Sequence, residues 1–295
     1  MESFEEAPAH HPAKTTKFGT SAKPTKASSG VPPQYEEEEK FAAPSQKLED
    51  FVTKAELPEG GEMGIGSTGE TSDLYREHLM HTLQALEYLR NTEPPGPEEL
   101  KDKMVSLPPP RKSHISKTLV IDLDETLAHC VDDIATENPQ FVLPITFVSE
   151  EGDKGGEVGE VIEAGINLRP HAIESLRSAA ENFQIVVFTA SHRAYADVVL
   201  DFVDPRGEII DFRLYRESCV VTSEGMYIKD LRIFENRDLK DVVIVDNAVY
   251  SFGFQLDNGV PIIPYYDNPH DEELLHLSYY LKCLANCDDV REQNR

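Results

Sequence analysis

Thr118-Leu119-Val120-Ile121-Asp122-Leu123-Asp124-Glu125-Thr126-Leu127 is the stretch whose reading decides the fold. A short apolar run rich in β-branched residues ends in two aspartates two positions apart, followed by a threonine. A run of this length bounded by charge suits a strand covered on both faces in an α/β sheet. Acids at the carboxyl end of such a strand stand where open α/β sheets bind ligands. The bland alternative is a buried strand running into a solvated acidic turn, and the rest of the chain decides between them.

Downstream, apolar strands alternate with amphipathic helices. Two antiparallel strands are expected at 141–149 and 158–168, separated by a Gly/Asp/Glu-rich loop at 150–157. A helix follows from Pro170-His171 to about residue 182, with proline in its first turn. Residues 184–189 (QIVVFT) form a second buried strand, 190–204 a helix that ends before Pro205, and 212–219 a shorter strand. Residues 242–245 are a further buried strand ending in Asp246-Asn247, 260–264 one more, and 271–285 a closing helix. This alternation implies a doubly wound, mostly parallel sheet with a small β insert after the first strand. The carboxyl ends of its strands then bring Asp122 and Asp124, Thr189, and Asp246-Asn247 to one edge. Lys229, in Met226-Tyr227-Ile228-Lys229-Asp230-Leu231, lies between two of these strands with apolar neighbours. A lone lysine is ordinarily a solvated charge.

Ahead of residue 114 the character changes. Residues 1 to about 70 are rich in Pro, Ser, Thr, Lys, Glu and Gly, with scattered apolar residues, and are expected to be disordered. One helix is expected near 73–90, capped by Ser72 or Asp73, with Tyr75, Leu79, Leu83 and Leu86 at helical spacing. An isolated helix of this length is marginal in water, so its apolar face should cover the following domain or dock a partner protein. Pro108-Pro109-Pro110 makes a stiff spacer. The expected organisation is a tail over 1–113 and a catalytic-type domain over 114–295.

The chain of 295 residues carries 54 acids against 28 bases, a net charge of −26; residues 1–113 account for −7 and the remainder for −19. An acidic domain lacks the basic surface that nucleic acids or anionic membranes require. Four cysteines with no disulfide spacing fit a reducing compartment. The amino terminus has no apolar signal region and no run spans a bilayer, so a nuclear or cytoplasmic location is expected.

The collected groups suit transfer of a phosphoryl group from an ester to a carboxylate and then to water. Asp122, at the strand end, is the expected nucleophile. Asp124 is the expected general acid for the leaving oxygen and base for water. The carboxylates and a dianionic phosphate repel, and Mg²⁺ would relieve this, with the carbonyl of Asp124 and either Asp246 or Asn247 offering it oxygens. Thr189 and Lys229 are expected to hold phosphate oxygens, and Thr126 to fix the turn.

Asp122-Leu123-Asp124-Glu125-Thr126 resembles motif one of the haloacid dehalogenase superfamily, DxDx[TV]. Leu168 to His171 (LRPH), Phe188 to Ser191 (FTAS), Tyr195-Ala196-Asp197, Arg216 to Cys219 (RESC), Tyr227 to Leu231 (YIKDL) and Val245 to Asn247 (VDN) are similar to its FCP/SCP branch. That branch is related to the phosphatases of the RNA polymerase II C-terminal tail. The resemblance covers residues from about 114 to the last helix. It implies an Mg²⁺-dependent protein serine/threonine phosphatase acting through a phospho-aspartate, with the metal held by the Asp122 carboxylate, the Asp124 carbonyl and Asn247, and with Asp246 beside it.

Small-molecule phosphatases of this superfamily usually carry a large cap, but here the insert between Leu127 and Arg169 holds only the two strands and Cys219 to Lys229 is too short for one, so an open site suited to a phosphorylated side chain on a protein is expected. The branch grips a tail proline with an aromatic residue soon after motif one, where this chain has Val131-Asp132-Asp133. Ile145 and Phe147 are the apolar candidates for that wall, or else ordinary core residues. The polymerase tail is thus one candidate substrate among phosphoproteins. The alternative function is a non-catalytic phosphoprotein-binding or import-type module of the same fold.

Overall fold

The apolar run before Asp122 becomes β1 (Lys117–Ile121), buried along its whole length, in a computed structural model that describes residues 69–147 and 160–295. The expected disorder of residues 1 to about 70 and the expected loop at 150–157 fall on residues outside these, apart from positions 69 and 70. Before β1 comes one long helix, α1 (Gly69–Leu89). After it come β2 (Ala128–Val131), β3 (Phe141–Phe147), β4 (Glu160–Leu168), α2 (Ala172–Ala179), β5 (Phe183–Phe188), α3 (Arg193–Val203) and β6 (Phe212–Leu214). The chain then forms β7 (Val220–Val221), β8 (Tyr227–Ile228), β9 (Val242–Asp246), β10 (Gly259–Pro261) and α4 (Glu273–Leu284).

The main sheet has the order β10-β9-β1-β5-β6, and every pairing in it is parallel. β1 is central, which explains why no residue in it is polar on a solvent face. Leu119 and Ile121 pack into one core with Leu176, Val199 and Leu277 from α2, α3 and α4. Val120 points the other way, into a second core with Val186, Ile244, Leu231 and Phe252. The second layer is built largely of 3₁₀ turns, including a kinked run of them over Val249–Asn258 that is broken at Phe252 and Gln255. Such segments lack a 3.6-residue apolar period, so the sequence does not announce them.

The insert differs from expectation by one strand. It is a three-stranded antiparallel sheet, β2-β4-β3, because Ala128–Val131 pairs with β4. Ile145 is buried and Phe147 packs against the first core, so both take the core role. The strand expected at 212–219 stops at Leu214 and gives way to a 3₁₀ turn.

Ordered packing starts ahead of residue 114. Ala85, Leu100 and Leu107 are buried in the second core, and Val105 forms a parallel bridge with Phe234. α1 begins at Gly69, so Ser72 and Asp73 lie inside its first turns and do not cap it.

Candidate active site

Parallel register brings the carboxyl ends of three strands level. Ile121 pairs with Val187 of β5 and Val245 of β9, and the Asp122 amide donates to the Val245 carbonyl at 3.0 Å. Asp122 and Asp246 therefore stand side by side, with Thr189 one residue beyond β5. After Asp122 the chain reverses. Leu127 and Ala128 amides both return to the Leu123 carbonyl, and Glu125 takes a left-handed φ of 54°. That conformation is uncommon for a residue with a Cβ, and such turns concentrate at functional sites.

The turn is clamped from below by Arg169. Its Nη1 donates to the Thr126 carbonyl at 3.2 Å, while Nε and Nη2 reach the two oxygens of Asp271 at 2.7 and 2.9 Å. Asp271 also accepts from the Glu273 amide at the start of α4. One buried guanidinium thus ties the aspartate turn to the last helix.

Each carboxylate has its own partners. Lys229 Nζ donates to Asp122 Oδ1 at 2.5 Å and to Asp246 Oδ2 at 2.6 Å. The Thr126 hydroxyl lies 3.1 Å from Asp122 Oδ2 and 3.3 Å from Asn247 Oδ1, so it can donate to either. Asp246 Oδ1 accepts from the Ala248 amide, which leaves that carboxylate fixed between a lysine and a backbone donor. Asp124 Oδ2 accepts from Thr189 Oγ1 at 3.1 Å and from Ser191 Oγ at 2.8 Å. The Ser191 amide in turn donates to Thr189 Oγ1.

Burial makes these charges consequential. Asp122, Asp124, Asp246 and Lys229 are 5, 8, 1 and 2% exposed. Burial pushes the Asp122 carboxyl well above the usual carboxylate range; Lys229 pulls it down, and Asp246 and Asp124 push it up again. For Lys229, burial disfavours the ammonium, but Asp122 and Asp246 outweigh it and hold the lysine charged. Lys229 is shared between two of the three buried carboxylates, Asp122 and Asp246, and a bound cation beside Asp122 would favour its ionised form. Among the described residues no group of three His, Cys, Asp or Glu forms a metal cluster. The oxygens that meet around the Thr126 hydroxyl are of a different kind, one from the Asp122 carboxylate and one from the Asn247 amide. Such hard donors, few in number, fit Mg²⁺, which retains several waters.

These groups open into a cavity of 400 Å³ lined by Asp122, Asp124, Lys229, Asp246 and Asn247, among others. Thr189 and Thr126 do not line it. The hydroxyl expected on a phosphate oxygen, that of Thr189, stands behind Asp124, and a phosphate contact from it requires exchange of that hydrogen bond. Sequence reasoning passed over Ser191, whose neighbour in FTAS drew the attention, and the cavity residues Tyr250 and Tyr266. Tyr266 packs edge-on to His129 at 5.1 Å, and His129 contacts Glu125.

The model of the NLI interacting factor-like phosphatase family matches residues 117–291. The chain belongs to this family. CTD small phosphatase-like protein 2 of Dictyostelium discoideum is 41% identical over 191 residues, which is 65% of this chain and 31% of that protein. CTD small phosphatase-like protein 3 of Caenorhabditis elegans is 40% identical over 68% of this chain and 65% of its own length. Carboxy-terminal domain RNA polymerase II polypeptide A small phosphatase 1 of Homo sapiens is 41% identical over 58% of this chain and 60% of its own. The chain spans less than two thirds of each of these three relatives. The NLI interacting factor-like match begins at β1, so α1 lies outside it, and all the candidate site residues lie within it.

Proposed function

We propose that this protein is an Mg²⁺-dependent phosphoprotein phosphatase that hydrolyses phosphoserine or phosphothreonine in polypeptides through a phospho-aspartate at Asp122, in a domain covering 114–295. The observation that carries this reading is the environment of Asp122. One oxygen is bound by a charged lysine, and the other shares the Thr126 hydroxyl with the amide oxygen of Asn247. A nucleophile, a phosphate-binding cation and a metal-type oxygen therefore surround one point at the cavity floor.

Asp122 attacks phosphorus and the ester P–O bond breaks, while Asp124 gives its proton to the departing serine or threonine oxygen. Asp124 then takes a proton from water, whose oxygen attacks the same phosphorus. The Asp122–phosphorus bond breaks, and inorganic phosphate leaves. Lys229 balances charge on the transferring oxygens and keeps Asp122 oriented. Asp122, the Asp124 carbonyl and Asn247 would hold Mg²⁺, which when bound supplies neutralising charge and an anchor for phosphate. Asp246 positions Lys229.

Relatives named for the carboxy-terminal domain of RNA polymerase II make that tail one candidate substrate, in a nuclear setting. Ile145 and Phe147 are committed to the core, so a proline grip on these two residues is not part of the reading. No described helix is long and apolar enough to cross a membrane. The test is hydrolysis of p-nitrophenyl phosphate by purified full-length protein. Turnover should need Mg²⁺, vanish in Asp122→Asn, and fall roughly 10²–10⁴-fold in Asp124→Asn. Metal-loaded, folded wild-type protein without turnover would overturn the reading.

A further inference from the structure

The cavity over Asp122 has a wall from outside the family domain. His78, His81, Thr82 and Ala85 of α1 line it together with Asp122, Asp124, Lys229 and Asn247. Their spacing of three, four and seven residues places them on one face of the helix.

That face is held in place by four anchors. At one end the Tyr75 hydroxyl donates to Glu273 Oε1 at 2.9 Å, and at the other the Tyr88 hydroxyl donates to Thr222 Oγ1 at 2.8 Å. Thirteen residues of helix separate the two tyrosines, a span of about 20 Å. Ala85 is buried in the second core. Leu89 lies on Gly253, where a Cβ would come within 2.1 Å of the leucine side chain. Only glycine permits that approach.

Between the anchors the polar groups face the cavity. Among the described residues, the side chains of His78, His81 and Thr82 have no hydrogen-bond partner. Burial first, and His81 second, hold the His78 imidazole below its ordinary range. A neutral imidazole both donates and accepts, which suits peptide groups better than it suits a phosphate dianion. The cavity is also lined by Glu125, Asp132 and Tyr266.

We propose that α1 is the specificity wall of the active site, and that His78, His81 and Thr82 hydrogen-bond the polypeptide flanking the phosphorylated residue. This rests on the phosphatase reading above. A substrate reduced to a phosphate and a small leaving group has no flanking peptide groups to offer these side chains, whereas a phosphorylated polypeptide has.

The test uses the full chain with His81→Ala, Thr82→Ala and the double substitution. His81 is exposed and Thr82 half-buried, so neither is needed for the core. Hydrolysis of p-nitrophenyl phosphate is measured beside hydrolysis of a phosphoserine peptide library with randomised flanks. The expected result is a KM for preferred peptides raised about 10-fold in the double variant, the loss of one or two hydrogen bonds. The flank preference flattens, kcat is unchanged, and p-nitrophenyl phosphate turnover stays within about 2-fold of wild type on the same grounds. An unaltered flank preference and KM would overturn the proposal. A second variant, Gly253→Val, displaces Leu89 and should flatten the same preference. Retention of the library by inactive Asp122→Asn protein, with and without the helix substitutions, separates the two readings. If wild type turns over neither substrate, the phosphatase reading falls. Retention weakened by His81→Ala/Thr82→Ala still supports the wall, and retention unaffected by it overturns the wall.

Discussion

Removing the Asp271 carboxylate should cost this protein more stability than its place at a helix start suggests. Arg169 is fully buried and the Asp271 side chain is 10% exposed, with two parallel contacts at 2.7 and 2.9 Å. Truncating one member of such a pair strands a charge in the interior, which costs about 3–5 kcal/mol. Asp271 also accepts the Glu273 amide, and losing that cap adds about 1 kcal/mol. For a folded region of this size, each kcal/mol lowers Tm by roughly 2–4 °C. Asp271→Ala is therefore expected to lower Tm by roughly 8–24 °C, the product of these ranges.

Urea unfolding followed by circular dichroism, with the slope unchanged, reads the same loss as a shift in midpoint. Arg169→Met should be similarly damaging, because it leaves Asp271 and the Thr126 carbonyl without their donor. The pair Arg169→Met/Asp271→Leu should recover much of the loss, giving a coupling energy above about 2 kcal/mol. A single-variant loss below about 1 kcal/mol, the scale of an exposed ion pair, would refute the clamp.

The remaining expectations concern the site itself. Ser191→Ala deletes the 2.8 Å hydroxyl contact to Asp124 and should lower kcat for a phosphoserine peptide about 10-fold with the fold intact, part of what acid–base catalysis contributes. A rate unchanged within 2-fold, on the same scale, would exclude that positioning role. The second expectation is a pH-dependent effect of Mg²⁺ on stability. Burial, reinforced by Asp246 and Asp124 against Lys229, raises the folded Asp122 pKa. The folded protein then holds a proton that the unfolded chain has already released above about pH 4. In the metal-free protein this group's contribution to stability therefore falls as pH rises from there toward the raised folded pKa. Mg²⁺ at ten times its Kd should add about 1.4 kcal/mol. Its increment in Tm should be larger at pH 7 than at pH 5 and flat in Asp122→Asn. A pH-independent increment in wild type would count against Asp122 as a ligand.

The central strands were legible because layers cover both of their faces. Val120, Val187 and Ile244 lie in continuous apolar runs, and the runs end where the charges begin. β2 was missed since His129 breaks the short run Ala128–Val131, and its strand character comes from pairing with β4. β7 and β8 have two residues each, below what any periodicity can register. Asp122, Asp124 and Lys229 were legible through their motifs. The contact of Ser191 with Asp124 spans 67 positions and exists only once the sheet is assembled. α1 shows its helical period in the sequence, but its position over the cavity depends on the missing side chain at Gly253 and on partners as remote as Glu273.

The partners of the two motif-one carboxylates also explain why, in the proposed reaction, the roles divide as they do. Lys229 has three donors and no acceptor, so it favours the ionised form of the Asp122 oxygen that it touches. That is the form a nucleophile needs at the moment of attack. Thr189 and Ser191 meet Asp124 through hydroxyls, which donate to a carboxylate and can rotate to accept from a carboxylic acid. Asp124 can therefore be held in place in both of the states through which an acid–base residue must cycle. Burial works against the first arrangement, since it raises the Asp122 pKa even with the lysine present. One lysine shared between Asp122 and Asp246 is not enough charge for a site that must also admit a phosphate dianion. The Asn247 amide oxygen beside Asp122 then has a reason to be there: it is a neutral ligand, able to help hold a divalent cation without adding a fourth negative charge.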